Sequence, residues 1–153
     1  MARYLIKMKD GSVTVLTTVE KPGRGELLNC ESCLKKWHPS NFSNVDSYRV
    51  LHEGELPADR YFRNAWCHQD DKFSIDMNKA REIHKNVLRE KRKPLLAKLD
   101  VEYMKALEKN DVVKLAEISA KKQTLRDVTE DDSILKAASP DELKLAVPSI
   151  LNE

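Results

Sequence analysis

Glycine is scarce in this chain. Four occur in 153 residues, and none lies beyond Gly54. Little backbone is therefore free to wrap a phosphate, and neither a Walker-type loop nor a dinucleotide fingerprint is present. The G-x-S-x-G and H-E-x-x-H patterns are missing too. The four histidines, His38, His52, His68 and His84, are scattered, so no catalytic set is expected. No run approaches the roughly 18 apolar residues that span a bilayer. The opening Met1-Ala2-Arg3-Tyr4-Leu5-Ile6-Lys7 lacks the apolar centre of a signal peptide. Synthesis and folding in the cytoplasm are the expectation. There Cys30, Cys33 and Cys67 should stay reduced, and three cysteines cannot all pair internally. A single-sign field is also missing. The net charge is +2, which argues against a bulk nucleic-acid or membrane binder.

What is abundant is charge of both signs. Charged residues make up 34% of the chain against 41% hydrophobic, where about a quarter charged is usual. Such a composition suits long solvated helices and a modest core. Texture changes near residue 75. The first part holds every Gly, every Cys and both Trp, and the remainder is rich in Lys, Leu, Ala and Glu. The expected fold class is α+β. A small antiparallel β-sheet or hairpin head over 1–75 precedes an antiparallel α-helical hairpin and a short terminal helix over 76–153.

In the head, Tyr4–Met8 and Val13–Val19 are β-prone runs around Lys9-Asp10-Gly11-Ser12. Asp-Gly supplies the positive φ angles of a tight two-residue turn. Lys21-Pro22-Gly23-Arg24-Gly25 ends the second run. Glu26–Lys36 reads as a short helix. Ser47–His52 reads as a third strand that widens the hairpin into a sheet.

Asp76 is placed to cap a long helix from Met77, with Ala80, Ile83, Val87 and Leu88 at helical spacing. Pro94 predicts a kink or restart near Lys91–Lys93. The pattern resumes at Leu95, Leu96, Leu99, Tyr103, Ala106 and Leu107. Lys109-Asn110-Asp111 is a short link, with Asn110 or Asp111 capping a helix from Val112 to Leu125. Two amphipathic helices so joined form an αα-hairpin. Ser139-Pro140-Asp141-Glu142 opens a last helix over Pro140–Val147.

Three stretches carry chemistry. Cys30-Glu31-Ser32-Cys33 is half of a tetrahedral zinc site, to be completed by His38 and Cys67 or His68. The opposing reading is reduced, partly buried thiols. No cofactor is expected, with zinc as the alternative. Lys79–Lys98 is strongly basic, with eight Lys and Arg against Glu82 and Glu90. Its charges surround the helix and no aromatic interleaves them. It reads as a solvated helix meeting an acidic surface, such as the chain's own C-terminal segment or a partner, rather than as a phosphate tracker. Leu56–Trp66 packs three aromatics with two Arg. Such residues dominate binding hot spots. The competing reading is an internal plug in which Phe62 and Trp66 pack on the sheet.

Leu56-Pro57-Ala58-Asp59-Arg60-Tyr61-Phe62-Arg63-Asn64-Ala65-Trp66 is similar to an I-P-x-D-R-x-F-R-x-A-W signature of small proteins encoded by tailed bacteriophages. Asp76–His84, Arg89–Asp100 and Lys121–Thr129 resemble the R-x-x-R-x-x-L-L … D … L-R-D helical hairpin of phage tail and tail-fibre assembly proteins. The resemblance covers about residues 56–147, and the Cys30/Cys33 pair stands outside it. It implies a non-enzymatic virion component or assembly factor of the tail or its fibres. Such a protein acts in the host cytoplasm during assembly, or in the virion tail. The implied partners are other tail or fibre proteins, and self-association is a further expectation. Membrane and nucleic-acid partners are not expected. Tyr61, Phe62, Arg63, Trp66, Arg89 and Arg92 are the candidate contact residues. Across the hairpin, Leu95, Leu96 and Leu99 should face Leu115, Ile118 and Leu125. Ion pairs among Arg89, Arg92, Asp100, Arg126 and Asp127 should set its register.

Overall fold

A computed structural model describes residues 2–18, 33, 36, 43–52, 54–69 and 72–152. Two compact units divide the chain, Met1–Asp76 and Met77–Glu153. The class is α+β, an N-terminal antiparallel sheet followed by C-terminal helices.

In the first unit, β1 (Ala2–Met8) lies between β2 (Val13–Thr18) and β3 (Val45–Val50), antiparallel to both. Leu5 stands opposite Val15 and Arg49, and Ile6 opposite Thr14 and Tyr48. Successive strand residues point to opposite faces. Leu5 and Ile6 are both buried, so the central strand is covered on both sides. Tyr4, Met8, Leu16 and Val45 pack around Ile6.

The β1–β2 hairpin closes on Met8 and Ser12, so three residues rather than two form its loop. The Met8 N–H donates to Ser12 O, and the Gly11 N–H donates to Met8 O. Only Gly11 takes a positive φ, +80°, and the Asp10 carboxylate accepts from the Ser12 N–H. Asp10 stabilises the turn through its side chain, so one left-handed residue suffices.

A second ribbon has no counterpart in the sequence reading. Strands β4 (Trp66–Gln69) and β5 (Lys72–Ile75) pair antiparallel after a 3₁₀ turn at Arg63–Ala65. An isolated antiparallel bridge joins Ser12 to Cys67. The expected helix over Glu26–Lys36 lies largely outside the described residues, though Cys33 and Lys36 are helical.

In the second unit, α1 (Met77–Glu108) runs through Pro94 as one helix, so the expected restart near Lys91–Lys93 does not occur. Pro94 and Glu90, whose carbonyl loses its usual donor, are both exposed. Water can serve that carbonyl, and the flanking Lys, Arg and Leu are strong helix formers. α1 ends in a left-handed cap. Asn110 adopts φ 52°, its N–H donates to Leu107 O, and the Asp111 N–H donates to Ala106 O. This pair of bonds is the Schellman arrangement, with Asn in glycine's usual place. Asp111 then starts α2 (Val112–Asp127) by accepting from the Lys114 N–H at 3.1 Å. A two-residue link thus stops one helix and the next residue starts another. Two short helices follow, α3 (Asp132–Lys136) and α4 (Pro140–Leu145). Ser139 caps α4 with Pro140 at its first position, as expected. No helix among the described residues is long and apolar enough to cross a membrane.

Candidate functional site

Within the helical unit, the hairpin closes as expected in outline and differently in detail. The arms α1 and α2 pack together. Leu95, Leu99 and Leu125 line one small gap of about 150 Å³ together with Ile150. Ile118 and Leu125 are buried, and Leu96 and Leu115 are half-buried. The register is not set by the ion pairs expected. Asp100 pairs with Lys122 at 2.5 Å, and the same ammonium lies 5.1 Å from the Tyr103 ring centre. Arg92 donates to the carbonyls of Leu125 (3.3 Å) and Arg126 (2.6 Å). Those carbonyls belong to the last turn of α2, where a helix leaves acceptors unserved and partly negative. Arg92 is thus a clamp inside the hairpin, not a free contact residue. Arg89 donates to Asn86 on its own helix, and Asp127 accepts from Gln123 on its own.

The first half of α1 has a different partner. Ala80, His84 and Leu88 recur every four residues and are all buried. The chain after α2 folds back toward them. Arg81 donates to the carbonyls of Ile134 and Ala137, and His84 Nε2 lies 2.9 Å from Ala146 O. Lys85 pairs with Glu130 at 3.7 Å. Part of the basic stretch therefore meets the chain's own C-terminal segment. Ile134 and Leu143 are fully buried, and Val128, Ala137 and Ala146 are buried as well. Sequence periodicity misses this seal because its apolar residues are spread over helices of only five and six residues.

At the other end of the hairpin, large apolar side chains stay exposed. Val101, Met104 and Leu107 lie on the last turns of α1, and Val112 and Val113 on the first turn of α2. Val112 is 74% and Val113 71% exposed. The sequence reading counted Leu107 and Val112 among the apolar positions of the two helices, where both prove exposed, and did not single out the five as a surface. Two adjacent valines directly after a capping Asp are the signal that could have done so.

In the head, the segment 56–66 splits into two roles. Phe62 and Trp66 are buried, and Tyr61 is half-buried with its ring edge-on to Phe62 at 4.6 Å. Trp66 meets Phe73 edge-on at 5.6 Å. Phe62 and Trp66 are therefore interior residues of the head, as in the internal-plug reading, rather than the contact surface. Asp59 holds the local turn by accepting from the Tyr61 N–H at 2.8 Å. Arg60, Arg63 and Asn64 remain exposed. They border a cleft of about 320 Å³ with Val13, Val15 and Thr17 of β2, Leu56 and Trp66. Among the described residues the buried Trp66 indole N–H has no acceptor. The Arg49 Nε and His68 Nε2 atoms share that condition, and both residues line a second cleft with Leu5, Lys7 and Ser47. Arg49 also grips Glu55 at 2.8 Å, a bond that draws the Glu55 carboxyl below its usual range despite partial desolvation.

Of the proposed zinc ligands, Cys30 and His38 lie outside the described residues. Cys33 and Cys67 are free, half-buried thiols. Among the described residues no group of three or more His, Cys, Asp or Glu could hold a metal ion. Comparison with protein-family models, with curated proteins and with solved structures finds no match in any of the three.

Proposed function

We propose that this chain is a non-enzymatic docking protein of a tailed bacteriophage, a small structural component or assembly factor of the tail or its fibres. Two things support the reading. One is the resemblance of segments 56–66 and 76–129 to small phage tail proteins. The other, which carries it physically, is the exposed apolar tip of the hairpin, where Val101, Met104, Leu107, Val112 and Val113 lie around one turn. Isolated exposed apolar residues are ordinary, but five clustered at one end suit a protein interface. Charges near the tip are mixed, with Lys105, Lys109 and Lys114 beside Glu102, Glu108, Asp111 and Glu117. A protein partner suits such a rim better than a polyanion does. The chain meets its partner in the host cytoplasm during assembly.

Quantitative mass spectrometry of purified virions and of tail intermediates tests the reading. A fixed stoichiometry in virions identifies a structural component. Presence in intermediates alone identifies an assembly factor. Absence from both removes the proposal. The V112D/V113D double variant is expected to keep its helical circular dichroism and lose at least about tenfold in tail association, since each desolvated apolar contact contributes on the order of 1 kcal/mol.

A further inference from the structure

The cleft beside β2 is rich in donors and cations, and among the described residues its lining holds no anion. Arg60 and Arg63 carry two full positive charges, and the Asn64 amide and the Thr17 hydroxyl add further donors. No acceptor contacts either guanidinium among the described residues. Trp66 also lines the cleft, and its indole N–H is buried with no acceptor among the described residues. A buried donor left unmade is costly, about 1–3 kcal/mol, and such groups call for a partner. The head as a whole offers no general attraction to polyanions, because residues 1–76 hold eleven Lys and Arg against eleven Asp and Glu. Arg60 and Arg63 give the cleft a positive charge that the head as a whole does not carry.

The apolar part of the lining fixes the shape of what fits. Val13, Val15 and Thr17 lie on one face of β2, at two-residue steps. Strand geometry spaces them over roughly 13 Å, the length of about four extended residues. Leu56 and the Trp66 ring add apolar wall. An inorganic anion would use the arginines and leave this wall idle. Stacked bases would need an open aromatic face, and Trp66 is only 8% exposed. A strand-like segment with carboxylates beside apolar side chains uses both parts. β2 is moreover an edge strand of its sheet, and extended peptides commonly dock along such edges.

We infer that this cleft receives a short, extended, acidic peptide segment of a partner protein, its carboxylates held by Arg60 and Arg63 and its apolar side chains set against Val13, Val15 and Leu56. The inference deepens the docking reading and rests on it, but is decided by a separate measurement. The full-length ¹⁵N-labelled chain is titrated with the capped pentapeptide Glu-Val-Glu-Val-Glu, with its Gln-for-Glu counterpart and with inorganic phosphate. The expected result is a saturable shift of the Trp66 indole N–H and of the Arg60 and Arg63 Nε–H signals with the acidic peptide alone. The R60Q/R63Q variant should weaken that binding at least about tenfold. Both side chains are exposed, and an unchanged amide spectrum of the free variant will verify its fold. No shift, equal shifts with the Gln peptide, or shifts confined to other residues overturn the inference. The same shifts with phosphate alone also overturn it, since they describe a simple anion site. A null titration beside confirmed tail association removes the cleft and leaves the tail reading. Peptide binding without tail association does the reverse.

Discussion

In residues 2–76 the frame is strand pairing around a small core of Leu5, Ile6, Leu51, Phe62, Ala65 and Trp66. In residues 77–152 the frame is helix packing, and polar side chains close it by reaching backbone carbonyls: Arg81 to Ile134 and Ala137, His84 to Ala146, Arg92 to Leu125 and Arg126. Among the described residues, all three buried side-chain donors or acceptors without a partner lie in the first unit and none in the second. The helical unit has spent its polar groups on itself and offers apolar surface at its tip. The head keeps unserved polar groups next to open clefts. One chain thus carries two kinds of adhesive surface, and each follows from how its unit satisfies its own backbone.

Four experiments break or sharpen that contrast. The largest effect is expected from Leu88→Ala, at a fully buried position. Removing such a side chain costs about 2–5 kcal/mol, read as a lower urea midpoint of the 222 nm signal. A loss under about 1 kcal/mol would mean that the first half of α1 is not sealed. Next is Arg92→Met, which keeps the aliphatic stem and removes the carbonyl clamp. A loss of about 1–2 kcal/mol is expected, against almost none for Arg89→Met, whose guanidinium binds only Asn86 among the described residues. If the two variants are equal, the clamp is ornamental.

How far these features were legible beforehand depends on the distance over which they are written. The β1–β2 hairpin, the third strand, the start of α1 at Met77 and the Asp111 and Ser139 caps are encoded within a few neighbouring residues, and the sequence reading places them. Pro94 misleads because its cost depends on whether Glu90 O faces water, which no local pattern states. The β4–β5 ribbon is hidden because its strands are only four residues long and Asp70-Asp71, between them in sequence, carry no glycine or proline turn signal. The roles of Phe62, Trp66 and Arg92 depend on segments distant in sequence. Their residue types suggested contact, and packing turned them inward. The cleft emerges only when Arg60 and Arg63 are set beside β2, some 45 positions away.

The third experiment compares one left-handed position from each unit. Gly11→Ala meets no atom within 4 Å, so only the φ of +80° opposes it. Asn110→Ala forces alanine to φ 52°. Each is expected to cost about 1 kcal/mol, while Asn110→Gly should hold or slightly raise the thermal midpoint. The smallest effect concerns acid. Bonds from the Ser133 hydroxyl and N–H, with Lys136 nearby, hold the Asp131 carboxyl below the usual aspartate range, outweighing slight desolvation. A carboxyl whose folded value is depressed adds stability that is fully present above its unfolded value and disappears as pH falls through the folded one. Asp131→Asn should therefore flatten the loss of helical stability below about pH 4. The change should stay under about 1 kcal/mol, because the group is largely solvated. An unaltered slope would remove Asp131 from the acid response.

α1 is 32 residues long, about 48 Å along its axis at 1.5 Å per residue. That exceeds the width of a small domain. The Ala80–Leu88 stretch gripped by the returning chain and the bare tip near Leu107 occupy opposite ends of one rod. Matched insertions of seven residues in both arms beyond Arg92 would carry the tip outward in steps of roughly 10 Å. The anchored end would stay as it is. The length of the hairpin is in this sense an adjustable dimension, free to follow the geometry of whatever surface it must reach.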